Sequence, residues 1–198
     1  VEGKSKNSDL WTKKSEDRIS VRGNRLIVPE QYFVYGLNRL RLKEIFADTP
    51  LEFSEDAQSR ESIIELPTPD GKTERFRILE SPVLAPAIAA EFPDWKTFQA
   101  YGIDDPTATA RLGFTANGFH ASVFSTRGTY QIDPYQRNDI DNYITYYKKY
   151  INAERNFHCL LDKKLFNEDY PEPQSFLVAP QFSHGSQIRT YRLAIAVT

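Results

Sequence analysis

The sequence predicts a mainly β protein: an antiparallel sandwich or partly open barrel with about two short helices, followed by an extended C-terminal tail. The 198 residues include 11 Tyr, 13 Phe and 2 Trp, residue types that favour strands. The 12 prolines and the lack of methionine argue against a helix bundle. Turn signals also recur at the short spacing that is typical of antiparallel sheets.

The N-terminal part predicts a loose segment, an edge strand and a helix. Residues 1–18 are polar, and we expect them to be loose. Pro29 within "NRLIVPEQYFVY" predicts an edge strand or a bulge, because proline donates no backbone hydrogen bond. The stretch "LNRLRLKEIFADTP" predicts a helix that ends before Pro50. Its apolar face is expected to consist of Leu37, Leu40, Ile45 and Phe46.

A hairpin and a second helix follow. "SIIELPTPDGKTERFRILES" has the turn signal "PDG" between two alternating runs. This alternation predicts that Phe76 and Ile78 face away from Arg75 and Arg77. "PVLAPAIAAEFP" predicts one short helix between prolines.

From Thr107 the pattern is that of a meander. "TATARLGF", "GFHASVF" and "TYQID" read as strands that are separated by the turns "TANG" and "STRG". "DNYITYYKKY" predicts one further strand, rich in Tyr and Ile. The β-rich body is therefore expected over residues 19–150.

After Tyr150 the character of the chain changes. Residues 151–188 contain Pro171, Pro173, Pro180 and Gly185, and they predict an extended connector. The final "RTYRLAIAVT", residues 189–198, is nearly all apolar, as a central strand of a sheet would be. We expect this strand to open a second domain.

Charge and hydropathy exclude several classes of partner. The formal net charge is −2 with both signs interspersed, so no electrostatic case exists for a nucleic-acid or a membrane-surface partner. The longest apolar run, Leu193 to Val197, is too short to span a bilayer. The chain starts at a valine with a polar stretch that lacks a signal pattern, and we expect a piece of an exported precursor.

Enzyme motifs are absent from the sequence, which contains no HExxH, GxSxG, Walker A loop or GxGxxG. The acidic stretch with Asp133, Asp139 and Asp141 lacks the glycine and the terminal glutamate of a calcium loop, so we expect a solvated loop. Asp104 and Asp105 precede Pro106, a pattern that favours a turn with Asx-type hydrogen bonds over paired catalytic carboxylates.

The three histidines, His120, His158 and His184, form no recognisable zinc motif. Alternation places His120 with Ser122 on the face opposite Phe119, Ala121 and Val123, which predicts a solvent-side strand histidine. His184 lies in a stretch rich in glycine and serine and has no partner in the sequence.

Cys159, in "NFHCLLDKK", is the single cysteine of the chain, so an internal disulfide and a CxxC metal site are excluded. In an extended segment it shares a face with Phe157 and Leu161, as a packed, buried thiol would. A nucleophile pair with His158 is disfavoured because adjacent strand residues point apart. A third reading is a thiolate that binds a metal held by another domain, helped by Arg155, Lys163 and Lys164.

The block from Leu66 to Tyr135 carries a family resemblance. It contains "LPTPDG", "ERFRILESPV", "FPDWKTFQAYGIDDPTATARL", "GFHA" and "GTYQIDPY", and "YYKKY" follows. These segments resemble the propeptides of bacterial secreted zinc metallopeptidases of the reprolysin-like (adamalysin) group, within the metzincins. The terminal "RTYRLAIAVT" looks like the start of the catalytic domain in such precursors. The resemblance covers roughly residues 26–160 and 188–198.

The resemblance implies an inhibitory, folding-assisting propeptide without enzymatic activity or a cofactor of its own. The implied partner is the cognate catalytic domain, whose HExxHxxGxxH zinc motif has no counterpart here. Cys159 lies between the propeptide body and the catalytic strand, where related propeptides carry a cysteine switch. The implied role of Cys159 is thus that of a ligand to the zinc of the protease, although "NFHCLLDKK" differs from the switch segments of animal reprolysins and matrixins. A non-catalytic adhesion module of the cell surface is the alternative.

Overall fold

The computed structural model describes residues 10–20 and 23–151. Within these residues, the strands are β1 (Trp11–Lys14), β2 (Phe33–Leu37), β3 (Ile63–Pro67), β4 (Thr73–Glu80), β5 (Lys96–Gly102), β6 (Thr109–Thr115), β7 (Gly118–Ser125), β8 (Gly128–Pro134) and β9 (Asn142–Tyr147). The helices are α1 (Arg39–Ala47), α2 (Asp56–Ser59) and α3 (Pro86–Glu91), with 3₁₀ turns at Glu16–Arg18 and Lys148–Tyr150. The predicted mainly β class is confirmed. The predicted C-terminal tail lies outside the described residues.

The nine strands form one antiparallel sheet in the order β1-β2-β9-β8-β7-β6-β5-β4-β3. Strands β3 to β9 are a meander in which each strand pairs with the next, as the turn signals predict. The edge strands β1 and β3 approach each other, and the indole Nε1 of Trp11 donates a hydrogen bond to the carbonyl oxygen of Glu65 at 2.8 Å. The sheet is therefore a nearly closed barrel, one of the two predicted architectures.

The turns that connect the meander use glycine where the backbone requires it. Gly71 in the predicted "PDG" turn has φ +78°, and Gly128 in "STRG" has φ +127°. Residues other than glycine are strained at these positive φ values, so the two glycines determine where the chain reverses direction between strands.

The inside of the barrel is filled by side chains from alternating strand positions. Phe76 and Ile78 are fully buried, while Arg75 and Arg77 lie on the other face, as predicted. Helix α1 covers one end, where Phe46 stacks on Phe98 with a ring-centroid distance of 4.0 Å. Burial of the inward side chains on every strand makes this core the main source of stability.

Helix α1 differs from the prediction in its apolar face. Its buried residues are Leu42, Ile45 and Phe46, whereas Leu40 is 78% exposed. Leu37 belongs to β2 and not to the helix. The prediction is confirmed for Ile45 and Phe46 and wrong for Leu37 and Leu40. The helix begins only at Arg39, where the Asn38 side chain accepts a hydrogen bond from the Arg41 backbone N–H at 3.1 Å. This cap sets the helical phase.

Two other N-terminal predictions need correction. The loose segment predicted over residues 1–18 is wrong for Trp11–Lys14, which form β1; Leu10 and Trp11 are buried against the core. The strand or bulge predicted at Pro29 is also wrong, because β2 begins after it, at Phe33, and lies between β1 and β9. The missing N–H of proline disfavours an interior strand position, which fits this start.

Residues between β1 and β2 cover the outer face of the neighbouring strands. A second cluster of buried side chains, which we call the covered face, consists of Val34, Tyr135, Ile144 and Tyr146, with Ile19, Ile27, Tyr32 and Ile151 packed against it. Strand β9 is consequently buried on both sides of the sheet. This explains why Tyr and Ile occur at successive positions of β9 rather than at every second one.

A polar network holds this covering segment in place. The Glu16 carboxylate accepts hydrogen bonds from the hydroxyl groups of Tyr135 at 2.6 Å and Tyr32 at 2.7 Å. Arg25 donates to the same carboxylate at 2.9 Å. The bond from Tyr135, then that from Tyr32, lowers the pKa of Glu16, and burial raises the pKa of Tyr135 to about 12.

Candidate functional site

The connection between β4 and β5 exposes an apolar surface. It contains α3, which begins at Pro86 in the position that proline favours and buries none of its residues. Val83 is 74% exposed, Ile88 47% and Trp95 37%. The short helix predicted here is confirmed, and its exposure is what the sequence did not reveal. Clustered apolar side chains at a surface are typical of interaction sites.

A groove of about 720 Å³ lies between this connection and the sheet; we call it the α3 groove. The connection contributes Pro82, Val83, Pro86, Ala89, Pro93 and Trp95, and the sheet contributes Thr97 and Thr115. The Trp95 ring is held by stacking on Phe92, with centroids 4.3 Å apart. The charged residues that line the groove, Glu80 and Lys96, form an ion pair with each other.

Gly113 of β6 lies beside the sheet residues of the groove. It pairs with Thr97 on β5 and is two residues from Thr115, so it lies on the same face as both. A Cβ atom added at Gly113 would meet no atom within 4 Å. The outer face of β6 therefore has free space at this position, which accepts a Cβ atom without a clash.

His120 lies on the outer face of β7, opposite the buried Phe119, Ala121 and Val123, as predicted. The sequence did not reveal its partners. Its Nδ1 is 2.8 Å from Asp133 Oδ1, and the hydroxyl group of Tyr146 donates to Asp133 Oδ2 at 2.6 Å. Burial and the neighbouring Asp133 raise the pKa of Tyr146. These contacts join three adjacent strands.

Asp105 stabilises a turn, and both Asp104 and Asp105 form ion pairs. The Thr107 N–H donates to Asp105 Oδ1 at 3.0 Å, which confirms the predicted Asx turn. Asp104 accepts from the Arg75 guanidinium at 2.6 Å, and the hydrogen bonds from Arg75 lower the pKa of that carboxyl. Hydrogen bonding from Thr107, with a further contribution from Arg127, lowers the pKa of Asp105.

The acidic stretch begins with Asp133 in β8 and continues as an ordered loop from residue 135 to Asp141, so the predicted solvated loop is wrong for Asp133. Asp139 accepts hydrogen bonds from the backbone N–H groups of Asp141 at 3.1 Å and Asn142 at 2.9 Å, and Asp141 pairs with Arg39 at 3.0 Å. The predicted solvated loop is wrong for Asp139, which is buried because it satisfies these backbone donors. Residues 10–20 and 23–151 contain no group of three or more His, Cys, Asp or Glu side chains that could hold a metal ion.

Cys159, the predicted zinc ligand, lies outside the described residues, as do His158 and His184. Of the helices in the described part of the chain, none has both the length and the apolar character needed to cross a membrane. Searches against protein-family models, curated proteins and solved structures found no match to this chain.

Proposed function

We propose that this chain is the propeptide region of an exported zinc metallopeptidase, where it keeps the protease latent and assists its folding. The observation that supports this most is the extent of the sequence resemblance. Its distinctive block, Leu66–Tyr135, includes β4 to β8 and the α3 groove. An apolar surface that the described residues leave exposed suits docking on a second domain, because the core of a protein interface is apolar and closely packed.

Inhibition would combine this docking with the thiol of Cys159. Zinc binds thiolates readily, and a catalytic zinc site keeps one position open for water. A Cys159 thiolate in that position would displace the water that becomes the nucleophile, which silences hydrolysis. The docked body would supply the affinity, and the connection through residues 151–188 would keep the effective concentration of the thiolate high.

Activation would follow cleavage of the connector, between Asp162 and Arg189. Once the connector is cut, the effective concentration of the propeptide near the protease falls, and the propeptide can dissociate. Extracellular or cell-surface location is part of this proposal, since the resembled proteins are exported.

The experiment adds the full chain, and separately a Cys159→Ala variant, to the mature protease encoded with it. We expect inhibition by the full chain and at least tenfold weaker inhibition by the variant, which corresponds to a loss of about 1.4 kcal/mol of binding free energy. Equal inhibition by both proteins would rule out the zinc ligand. Absence of inhibition by either would rule out the inhibitor role. A Val83→Asp variant tests whether docking uses the α3 groove.

An adhesion module of the cell surface is the second candidate, and one observation favours it. Tyr101 and Phe124 are 40% and 48% exposed, and both pair with Thr109, so they lie on one outer face of the sheet. Exposed aromatic side chains beside polar strand residues suit a ligand that stacks on rings. Reading the gene beyond Thr198 for an HExxH motif separates the candidates, because the adhesion module predicts no protease there.

A further inference from the structure

We infer that a pocket on the outer face of the barrel, where β7 begins and β8 ends, binds small organic carboxylates that carry an apolar group. We call it the His120 pocket. The inference goes beyond the proposed function, because the pocket is separate from the α3 groove and its ligand does not depend on a protease partner. It rests on the geometry of His120, on the charges that line the pocket and on its apolar wall.

Three segments of the chain form the His120 pocket, which has a volume of about 460 Å³. They are residues 26–27 between β1 and β2, residues 117–120 at the start of β7, and residues 133–138 at the end of β8 and in the loop that follows. This volume lies within the range of small-molecule sites in proteins.

Asp133 determines the orientation and the protonation of the His120 ring. Asp133 Oδ1 lies 2.8 Å from His120 Nδ1, and Asp133 Oδ2 accepts a hydrogen bond from the Tyr146 hydroxyl group at 2.6 Å. Because an ionised carboxylate only accepts hydrogen bonds, Nδ1 of His120 carries a proton. Nε2 makes no hydrogen bond with another described residue, and the His120 side chain is 45% exposed in the pocket. A protonated ring therefore offers an Nε2–H donor to a ligand.

The charges that line the pocket favour an anion over a cation. Both oxygens of Asp133 are already bonded, so little of its capacity is left for a cation. Arg137 is exposed, and its guanidinium forms no ion pair within residues 10–20 and 23–151. A guanidinium binds a carboxylate through two parallel N–H···O bonds, and the amide group of Asn117 in the same lining can donate another.

The remaining wall of the pocket is apolar. It is formed by Leu26, Ile27 and Pro134, and Leu26 is 75% exposed. An aliphatic group on the ligand would remove this surface from water, which adds to the affinity that the charges provide. The lining thus fits a carboxylate that is joined to an aliphatic group better than it fits an inorganic anion.

Hydrogen bonds between the loop after β8 and the segment before β2 hold the pocket in shape. Gln136 Oε1 accepts from the backbone N–H of Gly23 at 3.1 Å, and Gln136 Nε2 donates to the carbonyl oxygen of Ser20 at 3.0 Å. The Arg137 backbone N–H donates to the carbonyl oxygen of Asn24 at 3.0 Å. A Cβ atom at Gly23 would lie 2.8 Å from the carbonyl oxygen of Arg137, so this close approach requires glycine. A site that is formed in advance costs a ligand less entropy.

The test is an NMR titration of the full chain with N-acetyl-leucine, and N-acetyl-leucinamide is the uncharged control ligand. We expect a Kd on the order of 1 mM for the acid and at least about tenfold weaker binding of the amide. Arg137→Gln should weaken binding of the acid at least about fivefold. Arg111→Gln, which removes an exposed arginine outside the pocket lining, should change it by less than about twofold. Thermal denaturation of both variants checks that they fold.

The pH dependence of binding is the readout specific to His120. The charged side chains that line the pocket with it are those of Asp133 and Arg137; Tyr146 bonds Asp133 from β9, and Gly113 is the pair of His120 on β6. Histidine gains its charge between about pH 8 and pH 5, whereas the carboxylate of the ligand stays ionised there. Binding of N-acetyl-leucine should therefore strengthen severalfold from pH 8 to pH 6, and His120→Gln should abolish this dependence.

Four outcomes would overturn the inference. Equal binding of the acid and the amide would mean that the pocket recognises no anion. Equal losses in Arg137→Gln and Arg111→Gln would mean that overall charge attracts the acid, and a pH dependence that persists in His120→Gln would exclude the imidazole. Acetate that binds as tightly as N-acetyl-leucine would indicate an adventitious ion only. These measurements need no protease, so the inference and the proposed function can fail independently.

Discussion

Two outer surfaces of this barrel carry apolar side chains. Other described residues cover one of these surfaces and leave the other exposed. On the covered face, Ile19, Ile27 and Tyr32 pack against side chains of β2 and β9. The Glu16 carboxylate accepts a hydrogen bond from the hydroxyl group of Tyr135 in the same cluster.

At the α3 groove, Val83 and Trp95 remain 74% and 37% exposed, and Ile88 of α3 beside it is 47% exposed. The comparison indicates that the chain can cover an apolar outer face with its own segment. An apolar surface that the described residues leave exposed buries little area, so it contributes less to folding than the covered face does.

The largest expected effect is the loss of stability when Ile144 on the covered face is shortened, compared with the same change at Ile88 on α3. Ile144→Ala should lower the free energy of unfolding by about 2–5 kcal/mol, because Ile144 is 0% exposed on the covered face. Ile88→Ala should change it by less than about 0.5 kcal/mol, because Ile88 is half exposed. Urea denaturation of both variants measures the difference. Similar losses would mean that the α3 surface contributes to folding as the covered face does.

The second prediction concerns the polar anchor of the covered face. Glu16→Gln should lower the free energy of unfolding by about 1 kcal/mol near neutral pH, since it removes a charged acceptor that solvent partly screens. The folded-state pKa of Glu16 lies below its ordinary value of 4.5, so this stabilisation is present above that pH. It is lost as pH falls through the folded-state pKa.

The measurement is denaturation of the wild type and Glu16→Gln as a function of pH. Other carboxyls with lowered pKa values, Asp104 and Asp105, titrate in both proteins, so the difference between the two curves isolates Glu16. A difference that stays constant on acidification, or grows, would contradict the role assigned to this carboxylate.

The third prediction concerns the exposed apolar surface around α3. Ile88→Asp should leave the free energy of unfolding within about 0.5 kcal/mol of the wild type, because the side chain is already in contact with water. The variant should bind less of a fluorescent hydrophobic dye. Leu40→Asp, at a 78% exposed position away from the groove, is the matched control and should bind as much dye as the wild type. Equal dye loss in both variants would count against a defined apolar surface.

The smallest effect is expected at Gly113. Gly113→Ala should stabilise the protein slightly, by up to about 0.5–1 kcal/mol, because glycine in a strand loses more backbone entropy on folding than alanine. Gly102→Ala should destabilise it, since a Cβ at Gly102 would lie 2.1 Å from the carbonyl oxygen of Asp105. Thermal denaturation of the pair checks both signs. Destabilisation by Gly113→Ala would show that the space beside this strand is not free.

Local signals predicted much of the fold. The turns at Gly71 and Gly128 and the inward positions of Phe76 and Ile78 follow from turn chemistry and a two-residue period, which depend on neighbours in sequence. Strand β1 escaped prediction because Trp11 is its single buried residue, which is too little for a period. Its partner across the barrel opening, Glu65, is 54 residues away.

The candidate sites show the same division. Alternation was enough to put His120 on the outer face, but its bonding to Asp133, and that of Asp133 to Tyr146, depends on the register of β7, β8 and β9. The prolines around α3 predicted a helix, yet they carried no information about whether another segment covers it. Cys159, on which the predicted zinc role depends, lies outside the described residues, and that role stays a prediction.

From residue order alone, the β class, the meander and the inward-facing side chains could be worked out, because each depends on contacts within a few residues. Barrel closure, burial of both faces of β9 and exposure of the α3 groove were decided by the tertiary structure. The physical reason is that alternation determines which way a side chain points from a strand. It cannot determine what lies on that side, since the covering segment comes from a distant part of the chain.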